Sequence, residues 1–331
     1  VDDDGNVSVD PDVPDFLRGV LDESEYLRLR SAYTALLRGL EPGKPFDVTA
    51  RGRAILQMER QLEELSRARA AGGKLLPDVG GAWVELGPAP IPNGQTQGRI
   101  DTVSGRMTAI VVDPTNSNII YVGAAQGGVW RSLNGGTSFT PIFDLAQSLA
   151  IAALTLDPSD HTRLWVGTGE ANNSGDSFAG VGLYRVESAN TSPVLNGPIN
   201  PVRSYTDSGG SARSAAVFNG AGISKILVNP LNSNVLFVST KLSFMGLGGD
   251  CPGNCSAPPL GLPGMYRLSA ATGPVASVGV ERVKVSVAGG CLDLPCTGLR
   301  NISDMVFDPA DATRNTLLVW QEGTSAAADG G

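Results

Sequence analysis

The chain has 331 residues, including 42 Gly and 22 Pro, and its 25 Lys and Arg against 33 Asp and Glu give a net charge of −8. This acidic balance argues against binding to nucleic acid or to an anionic membrane surface. No apolar run reaches the roughly 18 residues that span a bilayer, so we expect no membrane span.

The first hundred residues are predicted to hold a tail, two helices and a linker. Residues 1–14 are acidic and rich in turn formers, which predicts a solvated, flexible tail. Two stretches, 26–40 and 55–65, carry apolar side chains at helical spacing on either side of Pro42-Gly43. We therefore predict an antiparallel helical hairpin over residues 15–73. Residues 74–104 are predicted to be a linker with a candidate strand at Trp83.

From residue 105 to residue 144 the chain is predicted to form one sheet of four short strands. The strands are expected at Met107–Val112, Ile119–Ala124, Gly128–Ser132 and Phe139–Phe143, because Asp-Pro, Asn-Gly and Gly-Gly turn sequences separate them. One sheet of four antiparallel strands is one blade of a β-propeller.

A repeated sequence mark indicates further blades. An apolar strand that ends in Asp-Pro or Asn-Pro recurs at Asp113, Asp157, Asn229 and Asp308. Residues 105–331 are therefore predicted to be all-β: four blades, the fourth incomplete, of a partial β-propeller with six to eight blades when complete. Such a ring does not close on its own, so we expect a longer chain or a second chain to complete it, with the strand at Trp83 as the closing strand.

The stretch Ser132-Leu-Asn134-Gly-Gly136-Thr-Ser-Phe139 resembles the Asp-box, Ser-x-Asp-x-Gly-x-x-Trp, with Asn in place of Asp and Phe in place of Trp. With Gly105-Arg106-Met-Thr-Ala-Ile and the loop that follows Val166-Gly-Thr-Gly-Glu170, it makes the region after Trp83 similar to secreted bacterial propellers of the neuraminidase-repeat (BNR) and xyloglucanase-like superfamily. The resemblance implies a propeller outside the cell. An Asp-box predicts this fold far better than it predicts an activity.

The sequence departs from the catalytic pattern of that superfamily. In the xyloglucanase family one catalytic Asp lies in a Thr-Asp-Val-Gly-Gly segment, and the matching segment here is Ala124-Ala125-Gln126-Gly127-Gly128, with Ala125 at the Asp position. A methyl group transfers no proton, so the pair of carboxylates that an inverting hydrolase requires is broken.

Sialidase and triad chemistry are also disfavoured. A sialidase needs an arginine triad, but Arg131, Arg185 and Arg267 follow strand aromatics at equivalent repeat positions, and we expect them to be exposed strand arginines. The chain has one histidine, His161, and it lies in a predicted turn, which argues against a Ser-His-Asp triad.

A polar set is predicted at the mouth of the propeller channel, thirteen residues after each mark. The loops between the second and third strands are expected near this mouth. The loop after Glu170 is rich in oxygen atoms that suit sugar hydroxyls or Ca²⁺. The alternative is that Asn, Gly and Asp occur there only because they are good loop residues. We expect no cofactor, with Ca²⁺ as the alternative. The candidate ligand-binding residues are Gln126, Glu170, Asn172, Asn173, Asp176, Lys241, Gln321 and Glu322.

The four cysteines lie in loops rich in Gly and Pro, where disulfides are more natural than buried thiols. Their spacings, with no histidine nearby, fit zinc sites poorly. Local pairs, Cys251 with Cys255 and Cys291 with Cys296, are the first expectation, and cross-pairing is the alternative. Disulfides would indicate an exported protein.

Two functions remain open from the sequence. The first is a secreted, non-catalytic propeller that binds glycans or proteins at the cell surface or in the extracellular matrix and that self-assembles through unpaired strand edges. The second is a carbohydrate-active hydrolase or lyase with catalytic residues partly beyond residue 331.

Overall fold

The structure is a computed structural model, and it describes residues 20, 25, 29, 33, 50–70, 91–96, 99–172, 177–206, 212–242, 263–283 and 301–321. Apart from one long helix, α1 (Ala50–Ala70), the described residues form mainly strands and turns, which confirms the predicted all-β fold. The strands, numbered β1 to β18 in chain order, are Ile91–Thr96, Arg99–Val103, Met107–Asp113, Asn116–Ala124, Gly128–Ser132, Thr140–Pro141, Ile151–Asp157, Asp160–Thr168, Leu183–Glu187, Val194–Ile199, Val202–Thr206, Ala212–Ala216, Ala221–Val228, Leu236–Leu242, Met265–Ser269, Gly279–Arg282, Ile302–Phe307 and Leu317–Gln321.

The strands form successive antiparallel sheets, the blades of a partial propeller. Blade 1 is β3 to β6, blade 2 is β7 to β10 and blade 3 is β13 to β16, each with its strands in sequence order. Blade 4 contributes β17 and β18 within the described residues. The first strands of successive blades contact one another, so the blades stack face to face.

Two hairpins were not predicted as such. Strands β1 and β2 pair within the segment predicted as a linker, and β11 pairs with β12 in the connection between blades 2 and 3. Both are short and polar, so hydrophobic periodicity gave little signal for them. The predicted strand at Trp83, the tail and most of the first predicted helix lie outside the described residues.

The repeated Asp-Pro or Asn-Pro mark is a turn in which the side chain accepts a backbone hydrogen bond from two residues further on. Asp113 Oδ1 accepts from Thr115 N at 2.8 Å, and Asp157 Oδ1 accepts from Ser159 N at 3.0 Å. Asn229 and Asp308 make the same bond in blades 3 and 4. The short oxygen-bearing side chain therefore stands in for a backbone carbonyl and ends the first strand of each blade.

Successive blades fit together through an isoleucine on one and a small residue on the other. A Cβ added at Gly123 would lie 2.6 Å from Cγ2 of Ile151, and one at Gly167 would lie 2.5 Å from Cγ2 of Ile223. Because real Cβ atoms do not approach this closely, glycine is required at both positions for the blades to meet as they do.

Two of the three strand arginines join neighbouring blades, which corrects the expectation that they are exposed. Arg131 Nη1 donates to Ala189 O in the next blade at 2.9 Å. Arg185 is 6% exposed, and its Nη1 donates to Ala271 O at 2.5 Å and to Gly273 O at 2.8 Å in blade 3. Arg267, in blade 3, is exposed as expected.

Helix α1 is attached to blade 1 at its N-terminal end. Arg51 donates from Nε to Ala146 O at 2.9 Å and from Nη2 to Asp144 O at 2.8 Å. The second predicted helical stretch, 55–65, lies within this helix. Its pairing into a hairpin stays a prediction, because most of residues 15–49 lie outside the described part of the chain.

Candidate functional site

Glu170 lies two residues after the end of β8, and its side chain is completely buried. Arg106, which precedes β3 in blade 1, donates from Nη2 to Glu170 Oε1. The other carboxylate oxygen, Oε2, accepts from Phe178 N at 2.7 Å and from Gln126 Nε2 at 3.4 Å. Both carboxylate oxygens are thus occupied by protein donors, and the carboxylate joins blades 1 and 2.

Glycines at the contact with blade 3 allow this burial. Gly169 has φ +86°, which favours glycine and turns the chain at the end of β8. A Cβ added at Gly222 in blade 3 would lie 2.6 Å from the backbone oxygen of Glu170. The backbones therefore approach closely, and Glu170 lies where three blades meet.

One predicted site residue contacts this carboxylate and reaches solvent. Gln126 is exposed while it bonds Glu170, and Asn172 is exposed two residues further along the loop. The loop is held by Ser177 Oγ, which donates to Asn172 O at 2.7 Å. Of the predicted residues, the structure thus brings Gln126 and Glu170 into contact, and Asn172 is exposed on the loop that follows Glu170.

The remaining predicted residues are not all at equivalent positions. Lys241 is buried on β14. Gln321 pairs with Ile302, as Thr168 pairs with Ile151 in blade 2, so it lies two residues earlier in the repeat than Glu170. The turn between β17 and β18 is two residues longer than its counterparts, so a count of thirteen residues from Asp308 stops two residues short of the position that corresponds to Glu170. The roles of Lys241 and Gln321 in binding stay predictions.

Several predicted residues lie outside the described residues, and their roles also stay predictions. They are Asn173, Asp176, Glu322, Cys251, Cys255, Cys291 and Cys296.

Arg106 belongs to the site but was not among the predicted residues. Its signal was present in the Gly-Arg-Met-Thr-Ala-Ile stretch, yet Arg106 and Glu170 are 64 residues apart and no local spacing relates them. The side chain of Arg106 is 45% exposed, against 0% for Glu170. The pair therefore presents a guanidinium to solvent and hides the carboxylate.

Ala125 lies beside this pair, and its backbone N donates to Arg106 O at 2.9 Å. Its side chain is a buried methyl group. Within the described ranges no group of three or more His, Cys, Asp or Glu side chains is placed to hold a metal ion. No helix in the described part of the chain is long and apolar enough to cross a membrane.

The chain is similar to known carbohydrate-active proteins over part of its length. No family model matches it. Over 52 residues, 15% of this chain and 6% of the relative, it is 44% identical to a xyloglucanase from Hypocrea jecorina (strain QM6a). A solved structure of an ancestral GH74 enzyme matches 54% of this chain and 24% of its own length, with 16% identity and a TM-score of 0.29. The chain thus covers only a minor part of the proteins that it matches.

Proposed function

We propose that this protein is a secreted, non-catalytic propeller that binds glycans or proteins at the cell surface or in the extracellular matrix. The observation that carries the proposal is the bonding of Glu170. Its carboxylate is buried and both oxygens accept hydrogen bonds from protein donors, so it offers no free oxygen to a glycosidic bond. The exposed groups that bond it are the amide of Gln126 and the guanidinium of Arg106, and Asn172 is exposed two residues further along the chain.

These groups suit recognition better than bond cleavage. Inverting and retaining glycosidases both use two carboxyl groups that flank the scissile bond. Amide and guanidinium groups instead donate hydrogen bonds to hydroxyl and carbonyl oxygens without exchanging a proton. Ala125 fits this proposal, because it places a buried methyl where the xyloglucanase family has a catalytic Asp.

The proposal includes an Asp-box turn after the third strand of blade 1. Ser132 Oγ accepts from Gly136 N at 2.9 Å, and Asn134 Oδ1 accepts from Ser138 N at 2.9 Å. A turn closed by its own side chains in this way supports a structural role for the motif.

A carbohydrate-active enzyme is the second candidate, and the 52-residue match to a xyloglucanase favours it. In that case the catalytic acids lie partly beyond residue 331. The xyloglucanase relative is far longer than this match, so the alternative depends on parts of a protein that the match does not reach.

One experiment separates the two. The purified protein is mixed with neutral polysaccharides (xyloglucan, arabinoxylan, starch) and acidic ones (polygalacturonate, alginate), and retention and released reducing ends are measured together. We expect retention without release. Release of reducing ends above a heat-denatured control would establish the enzyme instead, and neither retention nor release from any of the five would overturn glycan binding.

A further inference from the structure

The turn after the third strand of blade 1 contains an Asn-Gly sequence, Asn134-Gly135. Asn-Gly sequences are prone to deamidation, because glycine has no side chain to hinder the attack of its backbone nitrogen on the preceding side-chain amide. The chain has three further Asn-Gly sequences, which begin at Asn93, Asn196 and Asn219. Of the three whose asparagine side chains the structure describes, only Asn134 is exposed.

Two hydrogen-bond donors point at the side-chain carbonyl of Asn134. Its Oδ1 accepts from Ser132 Oγ at 2.9 Å and from Ser138 N at 2.9 Å. The direction of the Ser132 hydroxyl is set, since its oxygen already accepts from Asn134 N at 3.2 Å and from Gly136 N at 2.9 Å. Paired donors of this kind stabilise the negative charge that develops on a carbonyl oxygen under nucleophilic attack. The Cγ carbon of Asn134 is therefore activated toward attack.

The nitrogen of the same amide is also bonded to a group that can assist its departure. Asn134 Nδ2 donates to Ser138 Oγ at 2.9 Å, and a hydroxyl can supply a proton to a leaving nitrogen. The orientation of the amide is fixed, because Ser138 N can only donate and must face the oxygen. Within the described residues Asn219 has a single such donor, since its Oδ1 accepts from Asn200 Nδ2 at 3.1 Å.

We propose that Asn134 is a modification site, which the turn of blade 1 itself converts to aspartate. Gly135 N gives its proton to a base in the solvent and attacks Asn134 Cγ, so that a five-membered imide ring forms. The Cγ–Nδ2 bond breaks, and the nitrogen leaves as ammonia with a proton from Ser138 Oγ, which regains one from water. This inference does not depend on the proposed binding function.

Water then opens the ring and completes the reaction. Ser132 Oγ and Ser138 N still face the oxygen on Cγ, so water adds at Cγ, the bond from Cγ to Gly135 N breaks and that nitrogen regains its proton. The product is aspartate in a normal chain, not isoaspartate, the usual main product in flexible peptides. Its carboxylate accepts more strongly from the same donors, and the Ser138 hydroxyl can turn to donate to the second oxygen.

One contact of the fold slows the reaction. Gly135 N donates to Asn118 O at 3.0 Å, and this bond has to open before the nitrogen can attack. The bonds from Ser132 and Ser138 to the amide do not involve Asn118 O, so the activating donors stay in place while it opens. We therefore expect a slow conversion that proceeds in the folded protein.

The test measures deamidation of the full chain at pH 8, folded and in concentrated guanidinium chloride, at one temperature well below the melting temperature. Peptide mapping by mass spectrometry gives the rate at each Asn-Gly sequence and separates aspartate from isoaspartate. We expect Asn134 to convert about tenfold faster in the folded than in the unfolded chain, less than one oxyanion donor contributes in an enzyme. Asn219 should convert more slowly in the folded chain.

Two outcomes of this measurement contradict the proposal. Conversion of Asn134 that is slower in the folded chain than in the unfolded chain would show that the turn protects the amide. An excess of isoaspartate over aspartate at Asn134 in the folded chain would overturn the assigned direction of ring opening.

Ser132→Ala tests the activating donor, and Thr137→Ala is the matched control. Thr137 Oγ1 donates to the backbone oxygen of Asn134 at 3.0 Å, so its loss loosens the same turn without removing a bond to the side-chain amide. Ser132→Ala should slow the conversion of Asn134 about tenfold or more, as expected for loss of an oxyanion donor. Thr137→Ala should leave the rate unchanged or raise it.

A turn that only protects the amide predicts the opposite result, because both variants would loosen it and speed the reaction. Conversion in Ser132→Ala at the wild-type rate or faster would therefore overturn the proposal. Should Ser132→Ala fail to fold, Ser138→Ala replaces it: this change removes the exposed hydroxyl that bonds Asn134 Nδ2 and keeps the backbone donor. The same slowing is expected.

Discussion

At the scale of single residues, Asp157 shows how one carboxylate joins two blades. It is fully buried, and its Oδ1 accepts from Ser159 N and from Ser233 Oγ of blade 3, while Oδ2 pairs with Arg163 at 3.1 Å. Burial by itself would raise the pKa of Asp157, but the hydrogen bonds from Ser233, Ser159 and Arg163 outweigh it and hold the pKa below its ordinary value. In blade 1 the equivalent Asp113 meets His161 instead of a serine, at 3.2 Å.

This bonding predicts a pH dependence of stability. Because the pKa of Asp157 is lower in the folded state, its carboxylate stabilises the fold above the unfolded pKa of about 4, and that stabilisation is lost as the pH falls through the folded pKa. Asp157→Asn should lower the free energy of unfolding by about 1–3 kcal/mol at pH 7, as expected for a broken buried hydrogen-bond network, and should flatten the loss of stability below pH 5. Thermal melts of both proteins from pH 3 to pH 8 measure this.

Asp144→Asn is the control, since Asp144 is exposed. Its acid limb should follow that of the wild type. An Asp157→Asn curve parallel to the wild type across the whole range would contradict the assigned role of this carboxylate.

At the scale of elements, the contact between blades depends on glycine in the second strand. Gly167→Ala places a Cβ 2.5 Å from Cγ2 of Ile223, which is too close for two carbon atoms, so blades 2 and 3 must separate or distort. Overpacking of this kind typically costs about 1–3 kcal/mol. Chemical denaturation should show that loss of unfolding free energy for Gly167→Ala. The double variant Gly167→Ala with Ile223→Ala should lose less unfolding free energy than the sum of the losses of the two single variants, because the smaller side chain makes room for the added Cβ.

Gly105→Ala serves as the matched control, because a Cβ there would meet only Cε of Met107, at 3.8 Å. It should unfold like the wild type. If Gly105→Ala and Gly167→Ala are equally destabilised, the cost arises from lost glycine flexibility and not from the contact between blades.

The sequence predicted the blades because their signals are local. Each mark ends an apolar strand within a few residues, so the strands at Met107 and at Ile119 were predicted to within three residues at either end. The contact of Arg106 with Glu170 spans 64 residues and depends on how two blades stack, which no local pattern encodes. Counting also misplaced Gln321, because a longer turn shifts the register of β18 without changing its composition.

At the scale of the whole molecule, the two faces of blade 1 have different environments. Val111 packs into the core between blades 1 and 2, whereas its neighbour Ile110 is 69% exposed on the opposite face. That outer face surrounds an apolar pocket of about 550 Å³, lined in part by Met107, Trp130 and Phe139. Because adjacent residues of a strand point to opposite faces, the same substitution should reduce stability at Val111 and have little effect on stability at Ile110.

Val111→Glu should lower the melting temperature by about 5 °C or more, because it puts a charge at a half-buried position that packs against the core between blades 1 and 2. Ile110→Glu should leave the melting temperature within about 2 °C of the wild type, as expected for a surface substitution. Calorimetry of the two variants measures this. A large loss of stability in Ile110→Glu would mean that the outer face of blade 1 is covered in the folded molecule.

The same variant tests self-assembly. At the contact with the next blade, blade 1 has Gly123 and blade 2 has Gly167. At the same position blade 3 has Ser239, whose hydroxyl contacts that of Ser224, and the Ser224 hydroxyl donates to Ile302 O in blade 4. In the register of blade 4 this position is Trp320, which is 72% exposed, so a second copy stacked head to tail would meet an indole where the internal contacts have a small residue. The apolar outer face of blade 1 offers another candidate contact for self-association. We expect the sedimentation coefficient of the wild type to rise with its concentration. Ile110→Glu should abolish this rise, whereas Leu231→Glu, at an exposed leucine in a turn of blade 3, should leave it unchanged. A wild type that sediments as a monomer at every concentration would contradict the self-assembly expected from the sequence.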